Sequence, residues 1–248
     1  MKKLVSIITP SYNSKEFIGE TIESVINQTY KNWELLIVDD CSTDMTQKFL
    51  EKYVLQEKRI KLIKLEKNVG AGVARNIAIQ KAQGKYIAFL DSDDLWNKEK
   101  LEKQIKFMEE NKYSFTFTKF EKISEDGKKK QKIVKVPLKL TYNKNLYYNH
   151  LQTSTVIYDQ EILGKFFMPK IRKRQDYGLW QSILKKTSGY GLNENLMSYR
   201  LRKNSISSNK LELFKWQWKF YREVLELNIF QSIFYLITCV SIKIIGVR

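Results

Sequence analysis

The chain contains few of the residues that interrupt or cross-link a fold. Its 248 residues include three prolines, ten glycines, two cysteines and one histidine. So little proline and glycine argues against long disordered linkers. Cys41 and Cys239 lie far apart and form no metal-ligand spacing, so a reducing compartment is the simplest interpretation.

Long apolar runs are also missing. The apolar run near the N-terminus is too short for a secretory signal and leads directly into a predicted strand. A membrane-spanning helix needs about twenty mostly apolar residues. The most apolar stretch, residues 229–247, is interrupted by Gln231, Ser232, Thr238, Ser241 and Lys243. The sequence therefore predicts a folded protein without a good transmembrane span.

Acidic residues are the minority charge. Lys and Arg number 44 against 27 Asp and Glu, which gives a net charge of +17. Residues 127–158 contain no acid, and a second basic cluster occupies residues 170–174. Such patches favour nucleic acid, anionic lipid headgroups or phosphorylated substrates. Solvated lysines of a lysine-rich proteome would look the same, so charge alone does not identify a partner.

The first half of the chain alternates between strand and helix patterns. We predict strands at residues 4–9, 34–38, 60–65 and 86–90, and helices at 15–28, 43–55, 70–82 and 98–111. Ser42 or Thr43 is the expected N-cap of the second helix. Strands that alternate with helices at this spacing predict an α/β fold: a mostly parallel, Rossmann-like sheet with helices on both faces.

The second half is less regular. Strands are predicted at 114–120, 153–158 and 196–201, a helix at 175–186, and a turn at 126–127 before the lysine-rich segment. From residue 211 the pattern is helical to the end, with apolar residues at three- and four-residue spacing. Packing on the core or binding at a membrane interface would both produce this pattern. Because aromatic residues lead in and lysines lie nearby, we favour the membrane interface.

Three carboxylates follow the fourth predicted strand. Asp91, Asp93 and Asp94 lie within four positions. Their charges repel, and Mg²⁺ or Mn²⁺ would resolve the repulsion, since both prefer oxygen ligands and are often shared with phosphates. Open α/β sheets bind ligands at the carboxyl ends of their strands. The sequence thus predicts a metal–diphosphate site.

Polar residues also follow the first two strands. After the first strand come Pro10 and Tyr12, where a tyrosine could stack on a base, although an ordinary strand-to-helix turn has this composition too. After the second come Asp39 and Asp40. A carboxylate there could accept the imino proton of a uracil-type ring, or it could cap the next helix.

A glycine-containing loop, residues 68–76, precedes the third helix. Its glycines permit close backbone approach, and a helix N-terminus is suited to an anion. The loop is not the Gly-x-Gly-x-x-Gly dinucleotide fingerprint and does not follow the first strand, so NAD binding is weakly supported. Arg75 could bind a diphosphate or neutralise Asp39 or Asp91.

Four ordered segments resemble family 2 glycosyltransferases with a GT-A fold: VSIITPSYN (5–13), SVINQTYKNWELLIVDD (24–40), NVGAGVARN (68–76) and FLDSDD (89–94). The resemblance covers about residues 3–208. It implies a nucleotide-sugar donor, usually UDP-linked, inversion at the anomeric carbon, and a divalent cation, Mn²⁺ or Mg²⁺. Cys41 stands where the family commonly has glycine, which could change the turn slightly.

The resemblance also implies roles for individual residues. Pro10, Tyr12 and Asp40 would border the base, Arg75 would lie on the nucleotide side, Asp91 would face the ribose, and Asp93 would hold the metal, a role that Asp94 could share. Inverting transfer needs a base for the acceptor hydroxyl. Residues 174–180 match the family's position for that base, which makes Asp176 the base and puts Gln175 in place of the usual acid. Without the resemblance, Asp176 would be interpreted as a helix N-cap.

The Gln-x-x-Arg-Trp signature of processive synthases is missing from the sequence. Residues 199–207 instead resemble the shorter, non-processive transferases of bacterial surface polysaccharides. Arg200 or Lys203 could help to hold the donor diphosphate or could simply be solvated. His150, Thr153 and Gln175 are candidate neighbours of the acceptor, although a lone histidine is more often structural.

We therefore expect a transferase that moves one sugar from a UDP-sugar to a glycan acceptor, such as a lipid-linked saccharide. Residues 1–210 would form the catalytic domain, with a nucleotide-binding half (1–112) and an acceptor-binding half (113–210), followed by a helical tail (211–248). The basic patches and tail would meet the inner membrane, so the expected location is the cytoplasm or its membrane face. Nucleotidyl transfer and nucleic-acid binding are the alternatives, and neither explains three acidic strand ends; we expect no nucleic acid partner.

Overall fold

The computed structural model describes residues 2–128, 130–202 and 210–245. The strands are β1 (Val5–Ser11), β2 (Trp33–Asp39), β3 (Ile60–Lys64), β4 (Tyr86–Phe89), β5 (Leu95–Trp96), β6 (Phe115–Ile123), β7 (Lys130–Val134), β8 (Lys139–Leu140), β9 (Ile157–Asp159) and β10 (Gly189–Arg200). The helices are α1 (Ile18–Ile26), α2 (Thr46–Gln56), α3 (Ala71–Lys81), α4 (Lys100–Asn111), α5 (Tyr142–Tyr147), α6 (Gln160–Leu163), α7 (Gln175–Leu184), α8 (Lys210–Lys219) and α9 (Ile229–Ile245).

These strands form one mixed sheet in the order β3-β2-β1-β4-β9-β6-β10-β5, with β7 beside β6 and β8 beside β10. The pairs among β1–β4 are parallel, as is β6 with β10. Antiparallel pairs enter where β9 joins β4 and β6, and where β5, β7 and β8 attach. The α/β fold with a mostly parallel sheet is confirmed.

Helices cover both faces of the sheet. Within β1, Ile7 packs in a cluster with α1 and α4, whereas its neighbour Ile8 packs on the other face with α3 and α7. Successive strand side chains point to opposite faces, so a strand buried on both sides must be apolar throughout. This requirement explains why β1, β2 and β4 are mostly apolar, whereas the edge strand β3 carries Lys61 and Lys64.

Register brings the strand ends together. Ser11 at the end of β1 pairs with Asp39 at the end of β2, whereas β4 stops at Phe89, opposite Ile8. Pro10 therefore lies past the end of β4, where its missing N–H interrupts no ladder. The polar residues that follow β1, β2 and β4 meet at one edge of the sheet.

Several local predictions are wrong. Residues 153–158 are not one strand, since Thr153–Thr155 form a 3₁₀ turn before β9. The helix expected from residue 43 begins at Thr46 with Met45 as N-cap, because the Ser42 hydroxyl is instead bonded to Asp39. The lysine-rich segment, for which no strand is predicted, contributes β7, which pairs with β6.

The tail is helical but interrupted at residues 225–228, after a π-helical segment at Phe220–Val224. One face of α9 packs on the fold through Leu236 and Cys239. The opposite face leaves five apolar side chains exposed: Ile229, Phe230, Ile233, Phe234 and Ile237. In the part of the chain that the structure describes, every helix is too short or too polar to cross a bilayer. The tail therefore packs on the core along one face, whereas membrane binding by its exposed face stays a prediction.

Candidate functional site

A cleft of about 1650 Å³ opens at the edge of the sheet where β1, β2 and β4 end. The loop before α7 and the last residues of β10 complete its walls. The cleft brings together nearly all residues predicted for the site: Pro10, Tyr12, Asp40, Arg75, Asp91, Asp93, His150, Thr153, Gln175 and Asp176. Asp94 does not line it.

The two aspartates after β2 have different environments. Asp39 is fully buried and accepts hydrogen bonds from the Ser42 hydroxyl at 2.6 Å, the Ser42 N–H at 3.0 Å and the Gln47 amide at 2.7 Å. These bonds fasten the β2–α2 turn. Asp40 is the member of the pair that reaches the cleft. The structure therefore separates a structural carboxylate from a candidate ligand-binding one.

Asp40 also holds the glycine-containing loop. Its two carboxylate oxygens accept the N–H groups of Val69 at 2.7 Å and Gly70 at 2.8 Å. Gly70 has φ +88°, a conformation that favours glycine. Cys41 has φ 62°, the left-handed region that glycine would enter at lower cost. The N–H groups of Val69 and Gly70 are thus committed to Asp40 rather than offered to an anion.

Arg75 is paired with Asp91. The Arg75 Nη2 atom lies 2.5 Å from Asp91 Oδ1, and both side chains are largely buried. The Asp91 N–H is held at 3.0 Å by the Ser154 hydroxyl. Two roles are predicted for Arg75, and this ion pair corresponds to one of them, the neutralisation of Asp91. The pair still lines the cleft, so its outer edge is accessible to a ligand.

Asp93 carries incompletely compensated negative charge. Burial, and then the neighbouring Asp91 charge, raise the pKa of Asp93, while Arg202 lowers it. The Arg202 Nη1 atom lies 3.5 Å from Asp93 Oδ2, which is a long ion pair. A carboxylate with this excess charge, open to a cleft, fits a divalent cation as ligand. Among the described residues, however, no group of three or more His, Cys, Asp or Glu side chains forms a complete metal site.

Asp94 is the buried end of the loop at residues 91–94, which we call the acidic loop. It is fully buried and accepts the Ser154 hydroxyl at 2.5 Å and the Arg200 N–H at 3.1 Å. Burial, and then the charges of Asp93 and Asp91, raise the pKa of Asp94 well above the usual aspartate value. These bonds connect β10 and the 3₁₀ turn to the acidic loop, so Asp94 has a structural role: it holds that loop in place.

Replacing Asp94 with Ala should lower the free energy of unfolding by about 2 kcal/mol, because it leaves two buried donors without an acceptor. Asp94→Asn should cost less, since the amide oxygen can still accept from the Arg200 N–H. Urea denaturation of both variants measures the difference. Equal stability of Asp94→Ala and the wild type would contradict this structural role of Asp94.

Arg200 is a second buried support. Its Nε donates to the Asp93 carbonyl at 2.9 Å, Nη1 to the Glu125 carbonyl at 2.6 Å, and Nη2 to the Glu20 carboxylate at 2.7 Å. With its donors used in this way, Arg200 shapes the acidic loop rather than facing a diphosphate. Lys203, the other residue suggested for that role, lies outside the described residues.

Sequence reasoning missed Arg202. The residue lines the cleft beside Asp93, and its guanidinium also lies 4.8 Å from the centre of the Phe17 ring. The sequence signal for it is the run of basic residues after the last strand, in which the predicted candidates are Arg200 and Lys203. Arg200 and Arg202 both line the cleft, but the Arg200 donors are bonded to protein acceptors.

Asp176 lines the same cleft from helix α7. It lies in the first turn of α7, is half-buried and lines the cleft. Arg174 is the N-cap, so Asp176 does not cap this helix. The side chain of Gln175 packs directly on α3, since a Cβ added to Gly72 would come within 2.5 Å of Gln175 Cδ. Gly72 thus allows α7 to bring Asp176 close to the glycine-containing loop.

The remaining wall combines a neutral histidine with basic residues. Burial, and then the nearby Lys144 charge, lower the pKa of His150 to about 4, so the imidazole is neutral at pH 7. Thr153 is nearly buried at the start of the 3₁₀ turn. Both predicted basic patches contribute to the cleft, which is lined by Lys122, Lys135, Lys170, Arg172, Lys173 and Arg174 in addition to Arg202.

Comparison with known proteins places these features in context. The sequence model of the family described as Glycosyl transferase family 2 matches residues 6–167. A Bacillus subtilis protein, TuaG, provisionally named a teichuronic acid biosynthesis glycosyltransferase, is 47% identical over 93% of this chain and 92% of its own. The Escherichia coli protein WfgD is named UDP-Glc:alpha-D-GlcNAc-diphosphoundecaprenol beta-1,3-glucosyltransferase. It is 43% identical over 97% of this chain and 94% of its own.

A solved structure has the same fold. The S. aureus TarS 1–349 complex with UDP-GlcNAc aligns with a TM-score of 0.74 at 24% identity, covering 96% of this chain and 72% of that one. At this identity the likeness concerns the fold alone. It confirms the GT-A architecture expected from the sequence.

Proposed function

Because the chain belongs to glycosyl transferase family 2, we propose that it transfers one sugar from a UDP-sugar to a lipid-linked glycan in bacterial surface-polysaccharide assembly. Family membership decides the enzyme class in favour of glycosyl transfer over nucleotidyl transfer. The assignments of the donor site, the metal ligand and the base rest on one observation: Asp40, Asp91, Asp93 and Asp176 line the same cleft. Of the residues that line the cleft, those from 1–112 would mostly contact the donor and those from 113–210 mostly the acceptor. We call these two sides the donor wall and the acceptor wall.

The donor nucleotide would occupy the end of the cleft formed after β1 and β2. Tyr12 is 48% exposed there, so a face of its ring is free to stack on a base. Pro10 fixes the chain just before it. Asp40 already accepts two backbone N–H groups, but its oxygens have further lone pairs for a uracil imino group. Asp91, oriented by Arg75, would face the ribose.

The donor diphosphate would lie beside Asp93. We propose Asp93 as the protein ligand of Mn²⁺ or Mg²⁺, with the remaining ligands from phosphate and water, as Mg²⁺ commonly has. A bound cation would neutralise charge that develops on the departing UDP. Arg202 lies within reach of the same carboxylate and would donate to the diphosphate. Asp94 would hold the loop in place rather than share the metal.

Transfer itself would depend on Asp176. Inversion requires the acceptor hydroxyl to attack the anomeric carbon from the side opposite the leaving diphosphate. A carboxylate on the acceptor wall can take the proton of that hydroxyl as the new bond forms. Asp176 is half-buried in the cleft and is not used as a helix cap, so its oxygens are available for this task.

The acceptor is proposed from the relatives and from the tail. WfgD is named for an acceptor with a diphosphoundecaprenol group, and it aligns with nearly the whole chain. A lipid-linked acceptor is held at a bilayer, and the exposed face of α9 is apolar over five side chains. An amphipathic helix with such a face lies in a membrane interface. We therefore place the enzyme at the cytoplasmic face of the membrane.

Replacing Phe230 and Ile237 with Ser should lower binding to phosphatidylglycerol vesicles at least 10-fold. These side chains are 84% and 61% exposed, and each would lose most of the transfer energy of an apolar side chain. Cosedimentation with vesicles measures the change. The matched control is Leu55→Ser with Ile162→Ser, two exposed apolar residues on α2 and α6 that should leave binding intact. Equal losses in both double variants would argue against a specific role for α9.

The proposal is tested by a donor screen. UDP release is measured with a panel of UDP-sugars and lipid-linked acceptors, with Mn²⁺, with Mg²⁺ and with a chelator. We expect acceptor-dependent release with one donor, and its loss on chelation. If no UDP-sugar supports transfer to any such acceptor while a sugar linked to another nucleotide does, the UDP part of the proposal fails. If no sugar nucleotide supports transfer, the whole proposal fails.

A further inference from the structure

One wall of the cleft has polar groups that the proposed chemistry does not use. The loop Lys170–Arg174, which we call the basic loop, lies just before α7 and lines the cleft together with Gln217 of α8. Gln217 is only 3% exposed, and its side chain lies near enough to the Tyr221 hydroxyl to lower the pKa of that tyrosine, but its Nε2 atom makes no well-aligned hydrogen bond to the described residues. The Nε atom of Arg174 is likewise buried without a partner in the described part of the chain. Buried donors without acceptors are costly, so these two indicate a ligand.

Three cations of the basic loop, Lys170, Arg172 and Arg174, have little negative charge near them in the described part of the chain. Residues 162–175 contain no Asp or Glu. Within the described part of the chain, Lys170, Arg172 and Arg174 form no ion pair. Lys170 and Arg172 are also exposed to the cleft. The N-terminus of α7, a ten-residue helix, adds partial positive charge at the same point. The ligand that completes this wall is therefore an anion with several oxygen acceptors.

The basic loop is next to the proposed base. Arg174 precedes Asp176 by two residues, so their Cα atoms lie within about 7 Å. The donor diphosphate is assigned to Asp93 and Arg202, which come from β4 and β10 rather than from this loop. An anion bound here would therefore lie beside the proposed base.

We propose that the basic loop, with Gln217, binds the diphosphate of a sugar–diphosphate–lipid acceptor. The inference rests on the proposed function and assigns its acceptor a binding site. Lys170 and Arg172 pair with the phosphate oxygens, while Arg174 and Gln217 supply the inner donors. Cys239 of α9 lines the same wall, so the lipid leaves the cleft beside the helix whose other face is apolar.

The test compares three acceptors that share one sugar and one alkyl chain but differ in the link: diphosphate, monophosphate or none. Lys170→Gln with Arg172→Gln should raise KM for the diphosphate acceptor about 10- to 100-fold, and less for the monophosphate. It should leave KM unchanged for the phosphate-free acceptor and for the UDP-sugar. Lys52→Gln with Lys98→Gln removes the same charge outside the cleft and should change none of these values.

A binding measurement separates this proposal from the proposed function. Calorimetry follows hexyl diphosphate binding to the full chain with UDP and Mg²⁺ at saturating concentrations. We expect binding by the wild type and by the control, and at least 10-fold weaker binding by Lys170→Gln with Arg172→Gln. Unchanged hexyl diphosphate affinity in that variant, or an equal rise in KM for all three acceptors, overturns the basic loop as a diphosphate site. Loss of transfer in every protein with the binding difference intact would count against the proposed function alone.

Discussion

Asp176→Asn is expected to lower kcat for sugar transfer about 100- to 10,000-fold while leaving UDP affinity unchanged. The amide keeps the size and most contacts of the carboxylate but cannot accept the proton of the acceptor hydroxyl. Because Asp176 belongs to α7, whereas the proposed donor contacts follow β1, β2 and β4, and because the amide has the same size, UDP binding should be little affected. Acceptor-dependent UDP release gives kcat, and calorimetry with UDP gives the affinity.

Glu161→Gln is the matched control for this variant. Glu161 is an exposed carboxylate in α6 that does not line the cleft, so its loss should leave transfer intact. Transfer at the wild-type rate by Asp176→Asn would assign the base to another residue. A parallel loss of UDP affinity would instead indicate that Asp176 supports the donor site.

Asp93→Asn is expected to lower kcat/KM about 100-fold or more and to remove the effect of added metal on UDP affinity. The substitution removes the charge that a cation would balance, and the residue that we propose as its ligand. In the wild type, UDP should bind more tightly with Mn²⁺ than with a chelator. In the variant, calorimetry should give the same weak affinity in both conditions.

Asp94→Asn provides the comparison for the metal assignment. Since Asp94 is buried and bonded to Ser154 and Arg200, its amide variant should retain the metal dependence of UDP binding. A loss of metal dependence in Asp94→Asn equal to that in Asp93→Asn would restore Asp94 as a shared ligand. Retained metal dependence in Asp93→Asn would place the cation elsewhere.

The sequence alone was sufficient for much of the architecture. Continuous apolar strands alternating with amphipathic helices predicted a parallel sheet covered on both faces, because that periodicity depends only on local geometry. The same alternation put Asp40, Asp91 and Asp93 at the carboxyl ends of parallel strands, which meet at one edge in any such sheet. The segments that resemble the family then added Asp176 from the second half of the chain.

Elements that depend on distant partners could not be predicted in this way. The lysine-rich β7 has no apolar alternation and exists because β6 offers it an edge. The first residues of the expected strand at 153–158 form a 3₁₀ turn instead, whose Ser154 is bonded to Asp91 and Asp94. These choices follow from tertiary contacts that override local propensity.

Composition and order along the chain thus determined the fold class and which carboxylates share an edge. Only the tertiary structure decided that Asp94 is buried while Asp93 reaches the cleft, that Arg200 is buried with its donors bonded to the protein while Arg202 lies beside Asp93, and that Gln217 lines the same cleft. The reason is physical. Strand and helix periods are set by neighbouring residues, whereas the burial and pairing of a charged side chain depend on what distant segments pack against it.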